Sequence, residues 1–298
     1  MRNILPSKVA FPVLFCLFTA MGTGCDRGSE PKQISSIPAS APTPSEPLAP
    51  TTTEAGSKTD SSEEFSGLRS GEVGALADKA LASNDVDATL AAIAELRKRE
   101  NISPGTKMEI ARVLFGAGAM KDSAEVYDEV LEANPAIKSR LWQRGLALYY
   151  ADEFEKGVDQ FESHQTYNSQ DVENSVWHLL CQSRLTSVEE ARKTMIHIER
   201  DSRIPMKEVF DMFAGTGSPE EVLAACGYEE GKPEISSEIY HGLIYVGLFY
   251  EMTGDQAASQ KAMTEALAYK PPMNGLMGHV AEGHLRARKA YPVDQQED

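Results

Sequence analysis

Residues 144–161 decide the fold of this chain, and they read Arg-Gly-Leu-Ala-Leu-Tyr-Tyr-Ala-Asp-Glu-Phe-Glu-Lys-Gly-Val-Asp-Gln-Phe. Two kinds of position in this stretch recur along the chain at intervals of 34 residues. The small residue occurs as Ala77, Ala111 and Gly145, and the bulky residue occurs as Ile93, Tyr127 and Phe161. A small and a bulky residue that recur together predict helix pairs, because the small residue lets a second helix approach and the bulky residue fills the gap.

A period of 34 residues with this pattern resembles the tetratricopeptide repeat (TPR). The resemblance implies an all-α fold, a TPR-like α-solenoid of helix-turn-helix pairs. One pair cannot bury its own apolar face, so successive pairs stack. The resemblance also implies a protein that binds other proteins rather than catalysing a reaction. The first three predicted pairs cover residues 71–98, 106–133 and 137–167.

Beyond Gln170 the repeat degrades, and we expect an irregular middle segment. The helices predicted there cover residues 171–184, 187–201, 206–213 and 219–226. A turn near Gly215 separates the last two of these helices. It is followed by Ser218-Pro-Glu-Glu221, a capping box with proline at the first helical position. A last regular pair is predicted over residues 240–270, and a terminal helix over residues 274–290 is expected to cap the solenoid.

The last pair offers a second, weaker sign of the repeat. Gly247 lies 102 residues, or three periods, after Gly145. The segments between these two glycines match the repeat poorly, so the sequence leaves open whether the spacing reflects a shared register or chance. It also leaves open whether the pairs form one superhelix or two lobes.

The chain is acidic, with 45 Asp and Glu residues against 29 Lys and Arg residues and a formal net charge of -16. An acidic surface repels phosphate backbones, which excludes nucleic acid as the expected partner. Basic protein surfaces or cationic segments fit better. The alternative is that the charge serves solubility alone.

The first 25 residues have the pattern of a lipoprotein-type signal peptide. A positive start at Arg2 and Lys8 is followed by the apolar run Val9–Met21, which is too short for a comfortable membrane span. Small residues then precede Cys25, which resembles the lipobox of bacterial lipoproteins, whose cysteine becomes diacylated. Gly22 stands where that family has a leucine. Cleavage without lipidation is therefore the alternative to a lipid on Cys25.

Residues 26–65 are rich in Ser, Pro, Thr and Glu and contain few large hydrophobic residues. A segment of this composition buries too little apolar surface to offset its chain entropy, so we expect a disordered tether. With a lipid on Cys25, the tether would hold a helical domain of residues 66–298 at a membrane. The expected location is the cell envelope, at the periplasmic face of the outer membrane.

The order of elements over most of residues 70–290 resembles the NlpI-type TPR lipoproteins of Gram-negative outer membranes. The stretches that carry this resemblance cover residues 144–150, 174–180, 209–215 and 247–255. It implies a noncatalytic adaptor that brings envelope proteases and peptidoglycan hydrolases together. No residue carries a motif that specifies the partner. A structural subunit of an outer-membrane assembly complex is the alternative, and homodimerisation is left open.

In TPR proteins the first helix of each pair lines the concave groove, and applying that rule here predicts the partner-binding residues. They are Met108, Arg112, Phe115, Trp142, Leu146, Tyr149, Tyr150, His178 and Gln182. Aromatic residues and arginine are typical anchors of protein interfaces. The alternative is that these side chains pack between repeats.

The one metal-like cluster in the sequence is His279-Val-Ala-Glu-Gly-His284. A helical zinc site needs two histidines four residues apart, and these are five apart, so they point to diverging faces. We therefore predict no catalytic, metal-binding or cofactor-binding residue, and a metal-dependent hydrolase ranks last. Cys181 and Cys226 could pair in an exported protein, but free, buried thiols are the better expectation.

Overall fold

The computed structural model describes residues 65–273 and 275–290. All regular structure in these residues is helical, and they contain no strand, as the predicted all-α fold class requires. The predicted signal peptide, most of the tether and residues 291–298 lie outside the described part of the chain.

We number the α-helices in chain order. They are α1 (Ser70–Ala82), α2 (Val86–Arg97), α3 (Pro104–Gly116), α4 (Met120–Ala133), α5 (Trp142–Tyr150), α6 (Phe154–Gln165), α7 (Val172–Leu185), α8 (Val188–Lys193), α9 (Met206–Ala214), α10 (Pro219–Ala225), α11 (Ser237–Thr253), α12 (Gln256–Tyr269) and α13 (Val280–Ala287). Short 3-10 helices, Pro135–Arg140 and Leu276–His279, precede α5 and α13.

Four helix hairpins, α1–α2, α3–α4, α5–α6 and α11–α12, share one turn geometry. Each turn contains a residue in the left-handed conformation, namely Asn84 (φ 60°), Gly118 (φ 81°), Asp152 (φ 62°) and Gly254 (φ 92°). Gly, Asn and Asp are the residues that adopt this conformation most readily. The first three turn residues are 34 positions apart, and the fourth follows after 102. The last hairpin is therefore in register with the first three.

The two helices of a hairpin approach each other most closely at the small residue. A Cβ atom added to Gly145 would lie 2.4 Å from Cζ of Phe161, and one added to Gly247 would lie 3.0 Å from Cε of Met263. In both hairpins the bulky residue follows the small one by 16 positions, as Ile93 follows Ala77. The contact predicted from the repeat is confirmed.

The middle segment contains α7, α9 and α10 where the sequence predicts them, and Ser218 forms the predicted capping box with Glu221. The helix that begins after Ser187 ends at Lys193, however, so its predicted extension to residue 201 is wrong. Residues 194–205 find their hydrogen-bond partners at the start of α7 instead. The side chain of Ser175 donates to the carbonyl of Ile196 (2.6 Å), and that of Gln170 accepts from the amides of residues 199 and 200.

The C-terminal helix is shorter than predicted and reaches further into the molecule. It packs on α12, as a cap would, and its other side lies against α3. A Cβ atom on Gly283 would lie 2.8 Å from the carbonyl oxygen of Phe115, so the two helices are in close contact. Helix α11 also contacts α7, because the Tyr245 hydroxyl donates a hydrogen bond to Glu173 (2.7 Å). The last hairpin and α13 therefore cover the inner side of α3, α5 and α7.

We expect Gly145→Ala to lower the free energy of unfolding by about 1–3 kcal/mol, because the added methyl group overlaps the Phe161 ring. Gly74→Ala is the matched control, since a Cβ atom at this position in α1 meets no atom within 4 Å. It should raise the free energy of unfolding by up to about 1 kcal/mol through helix propensity. Urea unfolding of both variants checks the pair, and equal effects would contradict the close-approach argument.

Candidate functional site

The predicted groove residues lie on α3, α5 and α7. Those that are buried are Phe115, Leu146, Tyr149, Tyr150 and His178. Those that are half-buried are Met108, Arg112, Trp142 and Gln182. The five buried side chains leave almost no surface for a partner in this structure, which corrects the expectation of an open groove there. For Phe115, Tyr149 and Tyr150 the reason is that they contact Gly283, Glu251 and His284 of the last hairpin and α13.

A buried charge pair holds the last hairpin and α13 against α5. The carboxylate of Glu251 in α11 is 2% exposed and accepts from Arg288 Nε at 2.6 Å. Its other oxygen accepts from the Tyr149 hydroxyl at 3.2 Å, and the Arg288 guanidinium lies 5.1 Å above the Tyr150 ring. A buried carboxylate is stable only when it is paired and hydrogen-bonded. The pair therefore ties α11 and the end of α13 to α5.

His284 of α13 completes the same cluster and is fully buried. Its Nδ1 lies 3.0 Å from the Tyr150 hydroxyl, and its Nε2 lies 3.2 Å from the Ser259 hydroxyl. Burial lowers the pKa of His284 to about 4, although the nearby Glu251 carboxylate opposes that shift. The imidazole is therefore neutral at pH 7 and serves as a hydrogen-bonded part of the core.

His279 has a different partner. Arg112 Nη1 donates to His279 Nε2 at 2.7 Å, and the same guanidinium pairs with Asp78 (2.6 Å) and Glu109 (2.7 Å). Burial, together with the cations of Lys270, Arg112 and Arg286, lowers the pKa of His279 to about 3. Arginine only donates, so this nitrogen is an acceptor.

The two histidines of the metal-like sequence thus sit in separate environments. Among residues 65–273 and 275–290, no group of three or more His, Cys, Asp or Glu side chains is arranged to hold a metal ion.

Three further residues that the sequence singled out, His178, Cys181 and Cys226, carry titratable groups. His178 lies with Nε2 3.6 Å from the Glu162 carboxylate, and burial lowers the pKa of its ring. Cys181 is buried and Cys226 is half-buried, and both thiols are free, so the alternative of a disulfide between them is not realised. Burial raises the pKa of the Cys181 thiol, which makes it an inert packing group.

In the described part of the chain a cavity lies between α5, α6 and α7, and we call it the inner pocket. It has a volume of about 250 Å³ and is lined by Trp142, Leu146, Phe161, His164, Asp171, Glu173, Asn174, Trp177, Arg203 and Met277. Helices α5, α6 and α7 supply most of the lining. Trp142 and Leu146 are the two predicted groove residues that it contains.

Asn174 brings an unsatisfied acceptor to the inner pocket. Its side-chain nitrogen donates to the carbonyl of Phe161 (3.2 Å) and to Oε1 of Gln165 (3.2 Å). Two acceptors on one side fix the orientation of the amide, and Oδ1 has no hydrogen-bond partner although it is buried. Buried polar atoms are rarely left unpaired, so this oxygen is suited to accept an N–H of a bound group.

Arg203 organises the charged side of the inner pocket. Its guanidinium pairs with Asp171 (2.7 Å), Glu173 (2.5 Å) and Asp201 (2.6 Å). Hydrogen bonding to Asp201 leads the effects that raise the pKa of Arg203. Burial opposes ionisation of Asp171, but His164 and Arg203 outweigh it and hold the pKa of that carboxyl below its usual value. Asp171 in turn raises the pKa of His164. The carboxylates exceed the arginine by two charges.

Sequence reasoning missed the polar residues of this pocket. Asp171, Glu173, Asn174 and Arg203 lie in the segment where the repeat has degraded, so no periodic signal marks them. Arg203 meets α7 only because residues 194–205 run as irregular chain across its N-terminal end. Asp201 and Arg203 lie four and two residues before Pro205, and their spacing offered no helical pattern from which that meeting could be inferred.

No protein-family model matches this sequence, and no curated protein is significantly similar to it. Solved structures with a similar arrangement include a tetratricopeptide repeat protein from Parabacteroides merdae, with 12% identity and a TM-score of 0.43, covering 75% of this chain and 87% of the other.

A thermophilic TPR protein from Thermus thermophilus has 14% identity and a TM-score of 0.36, with coverage of 73% and 100%. MamA from Desulfovibrio magneticus, residue 41 to its end, has 11% identity and a TM-score of 0.37, with coverage of 70% and 99%.

In the part of the chain that the structure describes, no helix is both long enough and apolar enough to cross a membrane. The predicted lipidation site, Cys25, lies outside the described residues.

The depressed pKa of His284 makes a prediction about stability. An unfolded histidine binds a proton near its ordinary pKa of 6.5, whereas folded His284 does so only near 4. The unfolded state therefore binds more protons between these values, and the free energy of unfolding falls as the pH drops through this window. At pH 5 the histidine accounts for a loss of about 2 kcal/mol relative to pH 7.

In His284→Gln this loss should be absent, because glutamine does not titrate and can still hydrogen-bond to Tyr150 or Ser259. Urea unfolding at pH 7 and pH 5 measures the difference. His197→Gln, at an exposed histidine, is the control and should retain the wild-type pH dependence. The same loss in His284→Gln as in the wild type would contradict the assignment.

Proposed function

We propose that this protein is a noncatalytic interaction scaffold that is tethered in the cell envelope and binds a segment of a partner protein in the inner pocket. The observation that carries the proposal is the inner pocket itself. It contains two of the predicted groove residues, Trp142 and Leu146.

The size of the inner pocket favours one or two side chains of a protein segment. Its volume is about 250 Å³, which is below the roughly 300–1,000 Å³ of sites that enclose drug-sized ligands. Trp142, Leu146 and Met277 provide an apolar wall. A half-buried tryptophan in such a position is a typical anchor of an interface. An aliphatic side chain of the partner would bury its surface there.

The polar groups of the inner pocket favour a partner that donates hydrogen bonds. The unpaired Oδ1 of Asn174 accepts a hydrogen bond, and the excess of carboxylates around Arg203 favours a neutral or basic group. A backbone amide next to an aliphatic residue, or a nearby lysine, meets both conditions. The net charge of -16 also attracts basic partners over longer distances.

The tether and the envelope partners belong to the same proposal. The apolar run, the small residues before Cys25 and the polar segment after it support export and lipid anchoring at the outer membrane. The NlpI-type resemblance supports proteases or peptidoglycan hydrolases as partners. The separate environments of His279 and His284 favour this scaffold over the metal-dependent hydrolase.

The partner can be identified with a photo-crosslinking residue at position 142 of the full-length protein in cells. We expect a discrete protein adduct after illumination. The matched position is Leu76, an exposed apolar residue of α1 outside the inner pocket, which should not produce the same adduct.

With the identified partner, Trp142→Ala should weaken binding at least tenfold in a titration of the purified full chain. Equal adducts from positions 142 and 76, or unchanged affinity in Trp142→Ala, would refute the inner pocket as the binding site. Recovery of the adduct within a large complex of fixed stoichiometry would favour the structural-subunit alternative instead.

Lipid anchoring has a separate test. We expect the wild-type protein to sediment with membranes and to incorporate a labelled fatty acid, and Cys25→Ser to lose both properties. Cys16→Ser is the matched control, because this cysteine lies within the predicted signal peptide. An exported wild-type protein that stays in the soluble fraction would show cleavage without lipidation.

A further inference from the structure

A second cavity lies at the other end of the chain, and we call it the C-terminal groove. It has a volume of about 370 Å³ and is lined by residues of α10, α11, α12 and the loop that follows α10. It shares no lining residue with the inner pocket. A ligand in one cavity therefore contacts none of the residues that line the other.

The groove exists because α10 is short. This helix has 7 residues, whereas α11 has 17. At 1.5 Å per residue, α10 is about 10 Å long and α11 about 25 Å long. The chain leaves the helical conformation at Cys226, and Gly227 follows with φ 73°. Beyond Ala225 the groove is bordered by the loop that carries Tyr228 rather than by a helix.

The uncovered flank is apolar. Leu243, Val246 and Ala262 form its base, each less than 10% exposed. Half-buried side chains of Leu223 and Tyr228 stand at its sides. The surface that a partner could still bury belongs to the half-buried Leu223, Tyr228 and Tyr250, and the chain has no described helix left to place there.

The edge of the groove is acidic. Lys261 pairs with Glu230 at 3.2 Å, and the Tyr228 hydroxyl donates to Glu265, so these carboxylates are held at the edge. Among the described residues, no side-chain hydrogen bond or ion pair involves the Glu220 carboxylate. Three carboxylates against one ammonium group leave two negative charges around an apolar base.

We propose that the C-terminal groove docks an amphipathic helix of a partner protein, with an aliphatic row that enters the groove and lysine or arginine on its flanks. A helix is the matching shape, because the space is bounded by three helices, against which the ridges of a further helix can pack. Basic flanks match the edge, since like charges at an interface repel and opposite charges steer association. The inference is independent of the function proposed for the inner pocket.

The test uses a synthetic probe and the purified full chain. The probe is a fluorescein-labelled, acetylated 15-residue peptide with leucine at helical i, i+3 and i+4 spacing and lysine elsewhere. A second probe has glutamate in place of each lysine. Fluorescence anisotropy at physiological salt should show that the lysine probe binds at least tenfold more tightly than the glutamate probe.

Variants locate the site. Glu220→Lys should weaken binding of the lysine probe at least threefold and strengthen binding of the glutamate probe. Glu155→Lys is the matched control, because Glu155 occupies the same position in the first turn of α6 as Glu220 does in α10, with the same charge change. It should leave both affinities within a factor of about 1.5. Leu223→Asp should weaken binding of the lysine probe at least fivefold.

Three results would overturn the proposal. One is equal binding of the two probes. Another is an equal loss of affinity in Glu220→Lys and Glu155→Lys, which would show attraction to the acidic chain as a whole. The third is unchanged binding in Leu223→Asp with a wild-type circular dichroism spectrum. Trp142→Ala, in the inner pocket, should leave the affinity for both probes unchanged. This control separates the test of the C-terminal groove from the test of the inner pocket.

Discussion

The close approach of two helices at one small residue underlies every regular hairpin of this chain. At Gly145 and Gly247 the backbone of the first helix lies directly against a side chain of the second. At these two positions even the Cβ atom of alanine would displace the side chain of the second helix. The contact fixes how far apart the two helices lie, and the left-handed turn residue fixes how the chain reverses. Hairpins built with the same spacing and the same turn can stack as a solenoid.

Closure of the solenoid depends on a second constraint, the pairing of buried charge. Glu251 is taken out of water by α5 and α13, and Arg288 offsets that cost. Tyr149 and Tyr150 then serve as the contact between the first half of the chain and the last hairpin rather than as a surface. As a consequence, residues that line an open groove in a simple solenoid become part of the core here.

The inner pocket and the C-terminal groove both lie beside irregular segments of the chain. The inner pocket is bounded by the non-helical chain that carries Arg203, and the C-terminal groove results from the early end of α10. Both combine apolar residues with an excess of carboxylates. The two surfaces share no lining residue, so occupation of one leaves the residues of the other free.

The sequence by itself determined the hairpins, because the small and bulky residues, the turn residues and the capping box at Ser218 act within about 34 residues of one another. It did not determine the end of α8, where side chains of Gln170 and Ser175 supply hydrogen bonds that a longer helix would have made internally. Only the tertiary structure decided which of the predicted groove residues stay accessible. Burial of Tyr149 and Tyr150 depends on Glu251 and His284, more than 100 residues away, and no local pattern in the chain records such a contact.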